Sequence, residues 1–317
     1  MNDSVLRLGV SACLLGEKVR YDGGHKHDRY LTDVLADHFE LVRVCPEAEV
    51  GMGVPRETVR LDGDVDAPRM TASRSGKDWT GPMNAWARGR CRDLAPLDLD
   101  GFVFKKNSPS CGVHRVPVMQ DTGMPLKQGR GLFAAAFTRA FPLVPVEEEG
   151  RLHDAPLREN FLERVFAFHR VKAVFRGRWK RGDVVAFHSR EKYFLLAHSQ
   201  KHYKELGRLV AAIADLPPAE FRDRYLALYM EGLAHKATTR RHVNVLQHIA
   251  GHLRGPVSPE ELTRVHAVIQ DYGRGLLPLI VPVTLLSHLI DLHDVPYVRD
   301  QVYLRPHPKE LMLRNHV

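Results

Sequence analysis

The sequence is poor in cysteine, with only four in 317 residues, and no two form a CxxC pair. That scarcity excludes a secreted disulfide scaffold, and the missing pair argues against a zinc ribbon or a thioredoxin-type redox couple. No Walker motif is present, and Gly129-Arg130-Gly131, which could offer a phosphate site ahead of a helix, lacks the rest of a dinucleotide fingerprint. No apolar run is long enough to span a membrane: Gly275 to Ile290 holds Pro278, Pro282 and His288 and reads as a buried helix. The start, Met1-Asn2-Asp3-Ser4, is polar and shows no signal peptide, so the expectation is a cytoplasmic protein with reduced thiols. No internal repeat or low-complexity tract stands out.

What is present is unevenly distributed. Hydrophobic residues at 44% and charged residues at 26% are those of an ordinary globular protein. Residues 1–150 carry 20 Lys and Arg against 21 Asp and Glu, whereas residues 151–317 carry 26 against 17. Fourteen of the eighteen histidines also lie in the second part. Two domains are expected, 1–150 and 151–317, with an anionic partner plausible for the basic one.

The first part alternates β-rich runs with helical stretches, which predicts an α/β fold with an open, mostly parallel sheet and flanking helices. Helices are expected over 28–38, 78–93 and after Gly131, a short strand over Glu57–Gly63 and a last strand over Pro142–Val146. Glu147-Glu148-Glu149-Gly150 reads as a short charged segment ending this pattern. Beyond it, apolar residues recur at helical spacing, predicting an all-α domain with helices near 157–175, 183–214, 218–235, 238–253 and 259–272. No strand stands out there before the tail Pro296–Leu304. Ser258-Pro259-Glu260-Glu261 is a helix start with a capping box.

Three of the four cysteines share a context. Cys13 follows the run Leu6–Ala12, Cys45 follows Phe39–Val44, and Cys111 closes the loop Asn107-Ser108-Pro109-Ser110 after Gly101–Phe104. Each follows a strand and sits in a turn. If the strands are neighbours in a parallel sheet, the thiols meet at its carboxyl edge, where ligands bind. Three such thiolates suit a Cys₃ metal site or an iron–sulfur cluster with one iron left open. Cys91, inside a helical stretch, reads as incidental. His248 and His252 are four apart on a helix but lack a third ligand, and read as surface or core histidines.

Ser11-Ala12-Cys13-Leu14-Leu15-Gly16, Tyr21-Asp22-Gly23, Cys45-Pro46-Glu47 and Ser108-Pro109-Ser110-Cys111-Gly112 resemble the motifs of the thiouracil desulfidase (TudS) family over about residues 5–146. The second half, through Ala197-His198-Ser199, Tyr203–Gly207 and His242–His248, resembles the helical YbgA-type domain. The resemblance implies that Cys13, Cys45 and Cys111 hold a [4Fe–4S] cluster, and that the substrate is a thiolated pyrimidine base or nucleotide. It implies a non-redox exchange of sulfur for oxygen with release of hydrosulfide. Glu47, two residues after Cys45, is the expected acid/base, with Ser108 positioning the ring or relaying a proton. Asp22, Ser110 and Lys105 are expected in the substrate shell. Arg176, Arg178, Lys180 and Arg181, with Arg240 and Arg241, raise the expectation of RNA contact through the helical domain. The competing expectation is a non-enzymatic RNA-binding or regulatory protein with a structural zinc.

Overall fold

The computed structural model describes residues 5–316. The chain divides after Asp154 into two compact units. In the first, chain order runs β1 (Arg7–Ser11), β2 (Glu40–Val44), α1 (Pro46–Glu49), β3 (Val59–Asp62), β4 (Arg69–Ala72), α2 (Thr80–Leu94), β5 (Gly101–Phe104), β6 (Val116–Met119), β7 (Pro125–Gly129), α3 (Leu132–Ala140) and β8 (Val146–Glu148).

Four of these strands form a wholly parallel sheet in the order β2-β1-β5-β8. All four residues of β5 are buried, as expected of a strand covered on both faces. Gly9 of β1 faces Phe102 so closely that a Cβ would stand 2.2 Å from its ring, so the pair packs only with glycine. Phe102 and Phe104 pack with Phe133 and Phe137 of α3, and Ala87, Cys91 and Leu94 of α2 complete this core. Cys91 is thus a core side chain. A second, mixed sheet, β4-β3-β6-β7, covers Met83 of α2 and Leu132 of α3.

The expected α/β architecture is present, with local differences that have physical causes. The 28–38 segment buries Leu31 and Leu35 as its spacing requires, but coils as a π turn (Tyr30–Val34) and a 3₁₀ turn (Leu35–Asp37). The last strand is not Pro142–Val146 but β8, and it runs into the acidic triplet read above as a terminating segment. Those carboxylates are satisfied inside the fold: Glu147 bonds Arg151, Glu148 accepts the N–H groups of Val113 and His114, and Glu149 holds Lys105. A run of like charge sits in a sheet when each charge has its own donor. The hairpin β6–β7 escaped the sequence reading because β7 is mostly exposed and polar, with no apolar alternation.

The second unit contains α4 (Ala155–Val174), α5 (Arg181–His198), α6 (Gln200–Ala211), α7 (Pro218–Ala234), α8 (Thr239–Gly251), α9 (Pro259–Gly273), α10 (Ile280–Leu292) and α11 (Pro296–Arg299). The expected single helix over 183–214 is broken at Ser199, whose hydroxyl caps the N-terminus of α6. The tail is helical, with α11 and a 3₁₀ turn at Val302–Leu304. The Ser258 capping box forms as expected. His252 Nε2 lies 2.9 Å from the Tyr193 hydroxyl and His248 stacks on the same ring, so both histidines are packing residues. Among the described residues no helix is long and apolar enough to cross a membrane.

Candidate functional site

The strand order brings the cysteines together. Because β2, β1 and β5 are adjacent and parallel, their carboxyl ends share one edge. Cys13 stands in the 3₁₀ turn Ala12–Leu15 directly after β1. Cys45 follows β2 and caps the N-terminus of α1, with Pro46 as the first helical residue and the Cys45 N–H donating to Glu49 Oε1 at 2.8 Å. Cys111 ends the loop after β5. All three line one cavity of about 350 Å³, together with Glu47, Ser108 and Ser110.

The Cys111 loop is held by the start of α3. The N–H of Leu132 donates to Pro109 O at 3.0 Å, and those of Phe133 and Ala134 donate to Ser110 O at 3.0 and 3.1 Å. A Cβ on Gly131 would stand 2.5 Å from the Ser110 backbone, so only glycine permits this approach. The N–H groups that a phosphate would need at this helix end are therefore engaged with the loop, and the phosphate reading of Gly129–Gly131 is corrected. Within the loop, the Ser108 hydroxyl accepts the Cys111 N–H at 3.1 Å.

Glu47 is oriented from both sides. Its Oε1 accepts the Ser110 hydroxyl at 2.7 Å, with Ser108 Oγ 3.5 Å away, and the two serine hydroxyls are 3.0 Å apart. Its Oε2 accepts Arg56 Nη2 at 2.6 Å and Nε at 3.1 Å. The Arg56 guanidinium, only 5% exposed, also donates to Val19 O at 2.8 Å and Gly53 O at 3.1 Å. A charge-assisted pair of this geometry is both strong and directional. One carboxylate oxygen is thus fixed by a cation while the other faces two hydroxyls.

The electrostatics of the thiols point the same way. Burial, together with the neighbouring Cys45, pushes the Cys13 thiol up to about 11. Burial likewise pushes Cys45 and, further, Cys111 above the ordinary thiol range. Lys105 acts in the opposite sense on Cys13. Thiols whose pKa values are raised in this way become thiolates together where a cation compensates them.

Lys105 also lines the cavity, but its ammonium is committed to Glu149 Oε1 at 2.5 Å, and its N–H donates to the Ser11 hydroxyl at 3.0 Å. Asp22 stands apart from the cavity wall. Its half-exposed carboxylate accepts the Gly24 N–H at 3.0 Å, and that bond holds it below the usual carboxylate range; it is a turn former. Sequence reasoning missed Arg56, Ser11, Glu148 and Glu149. Arg56 closes the Gly/Pro-rich segment that begins at Cys45, and that unusual composition was its only signal.

An α/β unit whose parallel strands deliver three thiols and a clamped carboxylate to one cavity, followed by an all-helical unit, defines the class of this protein. Residues 8–149 match the family model described as 2-thiouracil desulfurase, and residues 192–308 match that described as a protein of unknown function, DUF1722. The uncharacterized protein YbgA of Escherichia coli (strain K12) is 33% identical over 162 residues, covering 50% of this chain and 94% of that protein. The chain belongs to the YbgA family, and its residues 8–149 match the 2-thiouracil desulfurase model. Among solved structures, the [4Fe-4S]-dependent thiouracil desulfidase TudS is 27% identical and covers 47% of this chain and 94% of that one, at a TM-score of 0.39.

Proposed function

We propose that the first unit, taken as residues 1–150, replaces sulfur by oxygen on a thiolated pyrimidine base or nucleotide and releases hydrosulfide. The observation that carries this reading is the meeting of Cys13, Cys45 and Cys111 with the Glu47–Ser110 pair in one cavity, within a region matching 2-thiouracil desulfurase. Cys13, Cys45 and Cys111 would hold an iron–sulfur cluster, proposed as [4Fe–4S]. The donor set fits it, since three thiols line the cavity and the fourth, Cys91, lies in the core. When bound, the cluster supplies a soft Lewis acid for the thiocarbonyl sulfur.

The remaining work falls to the chain. Glu47 Oε1 takes a proton from the attacking water, whose oxygen forms the new bond to the ring carbon as the carbon–sulfur bond breaks. The sulfur leaves with the bonding electrons and takes up the second proton of the water to become hydrosulfide, so no electrons are gained or lost overall. Ser110, bonded to Glu47, and Ser108, bonded to Ser110, pass the proton between carboxylate and ring. Arg56 fixes Glu47 Oε2 and keeps the carboxylate aimed. Lys105, paired with Glu149, adds positive potential near Cys13. Asp22 keeps only its turn role.

The second unit, taken as residues 151–317, supplies contact with RNA or a nucleotide through its excess of basic residues, and the free thiols suit a cytoplasmic setting. Anaerobic reconstitution with iron and sulfide, followed by incubation with thiouracil, tests the reading. Broad visible absorption and loss of the near-ultraviolet thiocarbonyl band are expected. Protein that takes up one zinc per chain and leaves thiouracil unchanged would overturn it.

A further inference from the structure

The helical unit encloses a second cavity of about 560 Å³, within the size range of small-molecule sites. The start of α4, the N-terminus of α8 and the turn after α9 form it, and Glu159, Glu163, Lys236, Thr239, His242 and Tyr272 line it. Its walls differ in chemistry. Glu159 and Glu163 present carboxylates, which only accept hydrogen bonds. Glu159 Oε2 is 2.6 Å from His316 Nε2, and Glu163 Oε1 accepts Arg314 Nη2 at 2.8 Å.

The opposite wall is a donor surface. Thr238 caps α8 through a bond from the Arg241 N–H at 3.4 Å, and no described residue accepts the N–H groups of Thr239 and Arg240. The helix dipole adds positive potential at this end. Lys236 has no ion pair among the described residues, and it is exposed at the rim.

His242 is a buried side chain whose second ring nitrogen is free toward the cavity. It is 5% exposed, and its Nδ1 lies 2.9 Å from the Tyr303 hydroxyl. Its Nε2 has no hydrogen-bond partner among the described residues, although the ring lines the cavity. Burial lowers this histidine to about 3, so the ring is neutral at physiological pH. That nitrogen is open to the cavity, where a ligand atom can bond it.

We infer that this cavity binds a small phosphomonoester that also carries hydroxyl groups, of the sugar-phosphate or nucleoside-monophosphate type. The phosphate sits against Lys236 and the first turn of α8, the hydroxyls donate to Glu159, and His242 Nε2 contacts the molecule between them. A phosphate has acceptors enough for two N–H groups and an ammonium. The site stands whether or not the thiol cavity desulfurises.

Calorimetric titration of the full-length protein with ribose 5-phosphate tests the assignment, with ribose and inorganic phosphate as its separate halves. Ribose 5-phosphate is expected to bind more tightly than either half. Lys236→Glu, an exposed change that leaves the core intact, should weaken it by about tenfold or more. His242→Leu should weaken it as well, and Glu47→Gln in the other cavity should leave it unchanged. The inference is overturned if ribose 5-phosphate does not bind, if Lys236→Glu binds it equally well, or if Glu47→Gln is the variant that loses it. It is also overturned if only a 5′-phosphorylated RNA oligonucleotide binds through Lys236.

Discussion

The thiol cavity and the helical cavity described above are built by opposite means. The thiol cavity uses the ends of adjacent parallel strands, so side chains far apart in sequence meet because the backbone ladder places their turns side by side. The helical cavity uses faces of α4, α8 and α9, and its polar floor is a buried ion network. Arg314 reaches Glu163 across 151 positions of sequence and donates to Tyr303 O at 2.6 Å, while His198 Nε2 stands 3.3 Å from the same glutamate. In the first cavity the reactive groups are compensated by neighbours in short loops. In the second they are compensated by residues from distant helices and the tail. Function and stability are therefore separable in the first unit and intertwined in the second.

The sharpest break in that comparison comes from the cysteines. Alanine at Cys13, Cys45 or Cys111 should abolish both iron uptake and thiouracil desulfuration, measured by visible absorption and product analysis. Cys91→Ala should keep both and cost only about 1 kcal/mol of stability, as a small truncation in a packed core. If Cys91→Ala fails like the others, the ligand set is wrong.

Next is Glu47→Gln, expected to lower kcat by about 10²-fold or more while leaving the cluster absorption intact. Arg56→Met should lower kcat less, since it loosens the carboxylate without removing it. An Arg56→Met enzyme with unchanged kcat removes Arg56 from the positioning role.

In the second unit the comparable substitution acts on folding. Arg314→Met leaves Glu163 buried and uncompensated, and should destabilise the helical unit by about 3–5 kcal/mol in denaturant titration. Desulfuration by the first unit should survive under native conditions. The smallest expected effect is on pH dependence. Burial holds His242 at about 3 and His188 at about 4, below the ordinary 6.5. These rings are neutral when folded, so the unfolded chain takes up protons first. Their contribution is complete above about 6.5 and is lost as pH falls toward 4 and 3. No histidine of the first unit is buried among the described residues. Melting followed against pH should show the helical transition dropping first on acidification. A pH-independent helical transition would count against the buried neutral histidines.

Much of the thiol cavity was legible because each cysteine ended an apolar run and opened a turn of Gly, Pro or Ser. That local pattern reports the carboxyl end of a strand. Asp22 was noticed because Asp before Gly-Gly is a turn signal, and its contacts are local: the Gly24 N–H and the Arg20 guanidinium. Arg56 and the acidic triplet were illegible because their partners lie elsewhere. Arg56 meets Glu47 across nine residues, and Glu149 meets Lys105 across 44. No periodicity connects such pairs. His242 was visible as part of a helix start, but nothing local shows that its ring is buried against Tyr303.

The amino-acid sequence by itself determined the alternation of strands and helices, the change to an all-helical second half, and the three loops that carry thiols. Those features follow from short-range chemistry: side-chain period, capping residues and turn formers. Only the tertiary structure decided that β2, β1 and β5 are neighbours, that Arg56 clamps Glu47, and that Glu163, Arg314 and His242 share a buried floor. Strand order and buried charge pairing depend on which surfaces exclude water together, and that is a property of the packed chain rather than of any stretch of it.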